Sequence, residues 1–326
     1  MKKTVGIDIG KHSIKLIELE DKKGHLEITN VAIRRIVDGD TKSALKDIVS
    51  ASKLSLKRVN ASLSGPSVIV RYIEMPPMKI EELRSAIRFE AEKYIPFNVK
   101  NSIIDCAVLD KASSSSQRVL MVAAKKDDVN SLIELFRDAD LEIDTMDIDS
   151  FAFFNSFHRV DPENKNENAY ALINIGARFS NMNIITKGNV YFTRDILWGG
   201  IDVTGRIKDA SGLGLDDAEA LKQKPAERRD EVVGMITSVL ERFTSQVRMS
   251  FDYFESQFGK NVERIYISGG TAYLFNIVDF LKDNLGVDTL MWDPFDGINI
   301  EEAAREKNIK GLPAVFAVAV GLALRK

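Results

Sequence analysis

The chain has 326 residues, 44% of them apolar and 29% charged, with 45 basic and 48 acidic side chains for a formal charge of −3. That length favours two domains or one duplicated architecture; the composition argues against disorder and against a membrane bundle, and the balanced charge gives no reason to expect nucleic acid as a partner. The single cysteine, Cys106, excludes an intramolecular disulfide and any zinc site built on two thiolates, and the Lys-rich start lacks the apolar core of an export signal, so a cytoplasmic protein is expected.

A repeat organises the chain. VGIDIGKHSIKLIEL at Val5–Leu19 lines up with ALINIGARFSNMNII at Ala171–Ile185, an offset of 166 residues, with Asp8 opposite Asn174 and Gly10 opposite Gly176. A second turn glycine follows in each copy, Gly24 and Gly188, so the pattern reads as a β-hairpin plus a third strand, written twice. After the first copy, Asp40–Lys53 carries a helical apolar face, and Val59–Leu63 and Val68–Met75 read as strands. Lys79–Ile95 makes an amphipathic helix on Ile80, Leu83, Ile87, Ala91 and Tyr94, stopped by Pro96. Ile103–Leu109 and Val119–Ala124 are strands around a solvated Ser113–Ser116 loop. Asp127 is expected to cap a helix burying Val129, Leu132, Ile133 and Phe136, and Ile143–Ile148 is one more strand. Residues 78 to about 148 thus read as a compact α/β unit between the repeats.

Downstream, Val232–Phe258 is a long helix whose phenylalanine column suits core packing. Arg264–Ser268 is a strand running into Gly269-Gly270, and a helix closes the chain from about Pro313. Its apolar run, Ala314–Leu324, is about half of the roughly 20 residues that a bilayer requires. The small residues of that helix favour core packing over a membrane-lying anchor.

A strand ending in a tight glycine turn presents backbone N–H groups that suit a phosphate, and two facing copies would grip one polyphosphate from both sides. In the first copy Asp8 would hold Mg²⁺ through water, Gly10 would allow the turn, the amides of Lys11, His12 and Ser13 would point inward, and Lys15 would add a cation. In ISGGTAYLFNIVDFL at Ile267–Leu281, a strand, two glycines and a helix start let a flat ligand approach the backbone. Glu219 and Lys222 lie three apart on one helical face, a spacing common in plain surface ion pairs. His12, His25 and His158 show no metal or triad spacing, and Cys106 reads as a small core residue.

Taken in order, these elements resemble the actin-like ATPase superfamily, which includes actin, heat-shock chaperones, sugar kinases and FtsA. VGIDIGKHSIK is similar to its first phosphate motif and INIGARFSN to its second, SFAFFNSFHRV at Ser150–Val160 to the first connecting helix, ISGGTA to the adenosine motif, AVAVGLAL to the second connecting helix, and A-E-x-x-K to the ribose and base contact. WGGIDVT at Trp198–Thr204 resembles the glycine turn that follows the second hairpin. Within the superfamily, EMPPMKIEELRSAIRFEAEKYIPFNV at Glu74–Val99 and the terminal VAVGLALR resemble the PilM family of type IV pilus assembly proteins, and the unit at 78–148 matches the place of the extra subdomain in FtsA and PilM.

The resemblance implies an α/β chain with the actin-like ATPase fold: two duplicated ribonuclease-H-like domains around a nucleotide cleft, with an FtsA-type inserted α/β subdomain. The expected division is 1–77 for the first half of domain I, 78–148 for the insert, 149–167 for the connecting helix and linker, 168–312 for domain II, and 313–326 for a closing helix returning to domain I. ATP and Mg²⁺ are the implied cofactors, held by Asp8, Gly10, Lys11, His12, Ser13, Lys15, Asn174, Gly176, Ala177, Arg178, Glu219, Lys222, Gly269, Gly270 and Thr271. The implied function is an ATP-binding adaptor that takes the N-terminal tail of a PilN-like inner-membrane protein in a groove beside the insert. It would be peripheral at the membrane through that partner and would link it to the motor ATPases.

One departure bears on mechanism. The family's second motif begins with Asp, whereas Asn174 is a neutral amide, a weaker Mg²⁺ partner and no base, so slow or absent hydrolysis is expected, with Asp8 as the main carboxylate. An FtsA- or MreB-like filament former and a small-molecule kinase of the same fold are the alternatives. The kinase would need a substrate-side carboxylate, for which Asp147 and Asp149 are candidates.

Overall fold

The computed structural model describes residues 2–110, 116–160, 167–305 and 311–325. The expected loop at 113–116 therefore lies outside the described residues except for Ser116, as does the stretch 161–166 of the expected linker. Alternating apolar side chains build β1 (Lys2–Ile9), β2 (Ser13–Lys22) and β3 (His25–Arg35), an antiparallel meander whose second turn, Lys23-Gly24, has φ of 58° and 91°. Asp40 accepts from the Ser43 amide and so starts α1 (Thr41–Ser52); β4 (Arg58–Leu63) then returns parallel to β1.

The insert comprises β5 (Val68–Met75), α2 (Ile80–Ala91), β6 (Ser102–Asp110) and β7 (Gln117–Lys125), its strands forming a separate sheet in the order β5-β7-β6. Leu83, Ile87 and Ala91 of α2 cover one face of that sheet together with Ile73, Val119 and Met121, and the half-buried Cys106 packs against the same core. α2 is shorter than its apolar spacing predicts. The chain turns at Lys93 and Tyr94, whose amides reach back three residues to Glu90 and Ala91, so the helix ends ahead of Pro96 and leaves Tyr94 exposed; Ile80, its first residue, is exposed as well.

α3 (Lys126–Arg137) follows. Lys125, not Asp127, stands at its N-cap; Asp127 sits in the first turn, where its charge favours the helix dipole without capping it. α3 and β8 (Glu142–Ile148) return to the first domain: Phe136 and Leu141 lie in its core, and β8 pairs parallel with β4. By its own sheet, then, the insert runs from β5 to β7. The alternation of strands and helices over 78–148 carries no mark of which sheet each strand joins.

α4 (Asp149–His158) leads to the second domain, where β9 (Ala169–Ile175), β10 (Ser180–Thr186) and β11 (Asn189–Ile196) repeat the meander. The register repeats as well: Asn174 opposes Asn181 as Asp8 opposes Lys15, and the turn Lys187-Gly188 again has positive φ at both residues. Next come α5 (Gly200–Ser211), α6 (Leu215–Gln223), α7 (Arg229–Phe258), β12 (Val262–Ser268), α8 (Ile277–Leu285) and β13 (Asp288–Met291). This sheet has the order β11-β10-β9-β12-β13, matching β3-β2-β1-β4-β8 in the first, where β14 (Asn299–Ile300) adds a strand beside β3. Ile236, Leu240, Phe243, Val247 and Phe254 of α7 form the core under the second sheet.

After α9 (Glu302–Arg305), the turn Pro313–Phe316 and α10 (Ala317–Ala323) close the fold. Residues 314–323 are all buried, which rules out the membrane-lying alternative for this helix. Its small residues bring it onto β1 and α4, and a Cβ on Gly321 would overlap the Ala152 carbonyl.

Candidate functional site

The two hairpin turns are built alike. In the first, the Gly10 amide donates to Ser13 O at 3.1 Å and the His12 carbonyl accepts from Ile36 at 2.8 Å. In the second, the Gly176 amide donates to Phe179 O at 3.0 Å, while the carbonyls of Gly176 and Ala177 accept from the Gly200 and Ile201 amides at 3.0 and 2.8 Å. Thr271 Oγ1 also donates to the Gly176 carbonyl, at 2.8 Å. Among the described residues, the amides of Lys11 and His12 in one turn and of Ala177 and Arg178 in the other have no acceptor. Paired free amides on a tight turn form a nest for an anionic oxygen.

The charged groups differ between the copies. Lys15 Nζ lies 3.0 Å from Asp8 Oδ2, with both side chains largely buried. At the matching positions, Asn174 Nδ2 donates to Asn181 Oδ1 at 3.4 Å, and Asn181 Nδ2 donates to Asp195 Oδ1 on β11 at 2.6 Å. The carboxylate missing from the end of β9 thus stands two strands away. Burial raises the Asp195 pKa against the pull of hydrogen bonds from Asn181 and the Gly65 amide.

Asp149, at the start of α4, accepts from Ser62 Oγ at 2.6 Å. Burial, then the nearby charge of Asp8, pushes its pKa up to about 7, with Ser62 and Ser64 opposing. The other candidate, Asp147, is taken up structurally by Arg325 Nη2 at 2.6 Å and the Ile148 amide at 2.8 Å.

Glu219 and Lys222 are no plain surface pair. Lys222 Nζ donates to Glu219 Oε2 at 2.6 Å, Thr204 Oγ1 at 2.8 Å and Gly200 O at 3.1 Å, so it ties α6 to the start of α5 beside the second turn. Burial opposes ionisation of Glu219, but hydrogen bonds from Lys222 and Thr204 outweigh it and hold the pKa below the usual glutamate range. The charges of Glu219 and Lys222 also reach His12 in the opposite turn. Burial first, then Arg35, Lys222 and Lys15, lower the His12 pKa against the opposing effect of Glu219.

Gly269 has φ of 90°, and a Cβ there would lie 2.4 Å from Ile175 O and 2.6 Å from Asn174 Oδ1. Its amide donates to Ala314 O at 3.0 Å, so Gly269 to Thr271 bind the second turn to the closing helix. Gly270 has open space where a side chain would stand.

The residues expected at the site therefore fall into two groups: Asp8, Gly10, Lys11, His12, Ser13 and Lys15 on domain I, and Asn174, Gly176, Ala177, Arg178, Glu219, Lys222, Gly269, Gly270 and Thr271 on domain II. Sequence reasoning missed Ser62, Asn181 and Asp195 and gave Asp149 only to the kinase alternative. Asn181 had a signal, since it is the counterpart of Lys15 at the same offset of 166 residues.

A cavity of about 460 Å³ adjoins these carboxylates. Leu63 and Asp149 line it from domain I, Val68 and Val70 from the insert, and Arg178 and Asp195 from domain II. Among the described residues no group of three or more His, Cys, Asp or Glu side chains is placed to hold a metal ion. A divalent ion would rest on Asp8 and on ligand phosphates, the water-rich coordination that Mg²⁺ favours. No helix among the described residues is long and apolar enough to cross a membrane.

A chain of the PilM-PilN type IV pilus biogenesis complex is similar in structure with a TM-score of 0.88 and 27% identity, over 99% of this chain and 98% of that one. The ethanolamine utilization protein EutJ from Carboxydothermus hydrogenoformans matches with a TM-score of 0.58 and 16% identity, over 99% and 90%. A Bacteroides thetaiotaomicron protein described as having an actin-like ATPase fold and unknown function matches with a TM-score of 0.50 and 12% identity, over 90% and 91%. These likenesses agree with the duplicated sheets in giving the actin-like ATPase fold. The family model described as type IV pilus assembly protein PilM matches residues 6–326, and the chain belongs to that family.

Proposed function

We propose that the chain binds MgATP between its two hairpin turns and docks the N-terminal cytoplasmic tail of a PilN-like membrane protein in the cavity beside the insert. In this way it serves as an adaptor that is held at the inner membrane by its partner and links that partner to the motor ATPases. The observation that carries the nucleotide reading is the pair of like-built turns with free amides, Lys11 and His12 in one domain and Ala177 and Arg178 in the other. Mg²⁺ would neutralise phosphate charge when bound. Asp8 would hold its water shell, and Lys15 would share the phosphate charge while orienting Asp8. The tail reading is supported by the family, by the similar chain from a PilM-PilN complex, and by a cavity whose insert side combines the apolar Val68, Ile69 and Val70 with Arg71.

Hydrolysis is slow or absent in this reading, because Asn174 offers no carboxylate and its amide is spent on Asn181. A second reading, weak hydrolysis with Asp149 as the base, draws on a carboxyl whose pKa lies near neutrality and which lines the cavity. Calorimetry with MgATP and with a synthetic peptide of the PilN tail tests the adaptor directly. Failure of either to bind the intact chain would remove that half of the function, and pelleting with MgATP would favour the filament-forming alternative.

A further inference from the structure

The insert belongs to domain I by chain but leans on domain II. Tyr72 Oη on β5 lies 2.8 Å from Thr193 Oγ1 on β11. Thr193 Oγ1 donates to Asn183 Oδ1 at 2.8 Å, and Asn183 Nδ2 donates to Ser150 O on α4 at 2.6 Å. Because the Thr193 proton goes to Asn183, Tyr72 is the donor at the head of the chain, and burial keeps its phenol protonated by raising its pKa. The chain ends one residue from Asp149, and both Thr193 and Ser150 line the cavity.

Arg118 on β7 reinforces this contact. It is buried, with its guanidinium carbon 4.9 Å from the Tyr72 ring centre and 4.0 Å from that of Tyr191, and it donates to the carbonyls of Val190 at 3.2 Å and Tyr191 at 2.9 Å. α4 and α10 pack on each other between the two domains. A movement of one domain against the other that shifts β11 along β5 cannot be followed by these short directional bonds; they hold or break.

We propose that Tyr72 and Arg118 form a clasp between the insert and domain II that couples MgATP in the cleft to the partner tail in the cavity. The inference rests on the proposed function and adds its regulation. Nucleotide holds the two domains together, the clasp stays formed, and the cavity keeps the shape that accepts the tail; without nucleotide the clasp loosens and the tail binds less tightly. Linkage requires the tail to tighten MgATP binding by the same factor, about tenfold for a coupling of ordinary size.

The test is calorimetry on the intact chain, titrating the synthetic PilN tail peptide with and without a non-hydrolysable ATP analogue and Mg²⁺, for the wild type, Tyr72→Phe and Arg118→Lys. The expected result is about tenfold tighter peptide binding with nucleotide in the wild type and less than about twofold in either variant, with each ligand alone bound within about threefold of wild type. Tyr72→Phe removes one oxygen, and Arg118→Lys keeps the charge but loses the planar stack, so if one variant fails to fold the other decides. Wild-type protein that binds both ligands independently, or folded variants that keep the full coupling, would overturn the clasp while leaving the adaptor intact. Failure of the wild type to bind one of the ligands would overturn the adaptor, and the clasp with it.

Discussion

Asp149 and Ser62 join the connecting helix to the end of a central strand of domain I through a 2.6 Å hydrogen bond, and the carboxyl so held has its pKa pushed up to about 7. The folded state therefore keeps a proton that the unfolded chain has released by about pH 4, so stability falls as pH rises from about 4 to about 7. Asp149→Asn keeps the hydrogen-bond acceptor without the charge. Thermal unfolding across that range should show the variant gaining on the wild type as pH rises, by an amount of the order of a few kcal/mol. A constant difference between the two would mean that folding leaves the Asp149 pKa where the unfolded chain has it.

Lys15 should matter to nucleotide more than to the fold. It is the cation beside Asp8 in the first turn, and Lys15→Ala should weaken MgATP binding by about tenfold or more, as loss of a charge-assisted phosphate contact does. Isothermal titration gives the number, and unchanged affinity in folded Lys15→Ala would refute the placing of phosphates in this cleft.

Asn174 allows a test by restoration. If its neutral amide is what keeps hydrolysis slow, Asn174→Asp should raise ATP turnover by about tenfold or more, within the range expected for an added acid-base group. Phosphate release from the purified protein reports it. A wild type turning over at about 1 per second or faster would show that Asn174 is no obstacle.

Gly269 is held in place by its surroundings. Gly269→Ala would put a Cβ on Ile175 O and Asn174 Oδ1 at a φ that L side chains rarely adopt, and should destabilise the protein by about 2 kcal/mol or more. Denaturant unfolding measures this, and a loss below about 0.5 kcal/mol would mean that the turn relaxes without strain.

The duplicated hairpins were legible because period-2 alternation and turn glycines are local signals, and the shared offset set Asp8 opposite Asn174, whose strand partners Lys15 and Asn181 then stand in the same register. The bounds of the insert were not legible. β5 and β8 read alike as short apolar strands, and only long-range pairing assigns one to β7 and the other to β4. At the site, Gly10 and Gly176 announced themselves through their turns. Asp195 did not, since its role depends on lying across from Asn181 on a neighbouring strand, and Asp149 stood level with Asp147 as a candidate carboxylate until burial beside Asp8 set it apart. Helix ends misled for a related reason: Asp127 has the residue type of a cap, but the chain enters α3 one turn position too early for its side chain to cap.

The closing helix sets an order of events in the making of the protein. Thr4 Oγ1 donates to Ala323 O and Asn60 Nδ2 to Leu322 O, and the core under β2 and β3 includes Val315, Phe316, Ala319 and Val320. β1 thus waits for a partner made 319 residues after Thr4. Each domain has a core of its own, within residues 5–141 in domain I and 169–285 in domain II, and each also has a face that α10 covers: Leu172, Ile185 and Val190 of domain II pack with Ala317, Val318 and Leu322. The face of β1 and β2 that α10 covers is thus among the last surfaces to be sealed, and it is there that a nascent chain of this design calls for protection from misfolding.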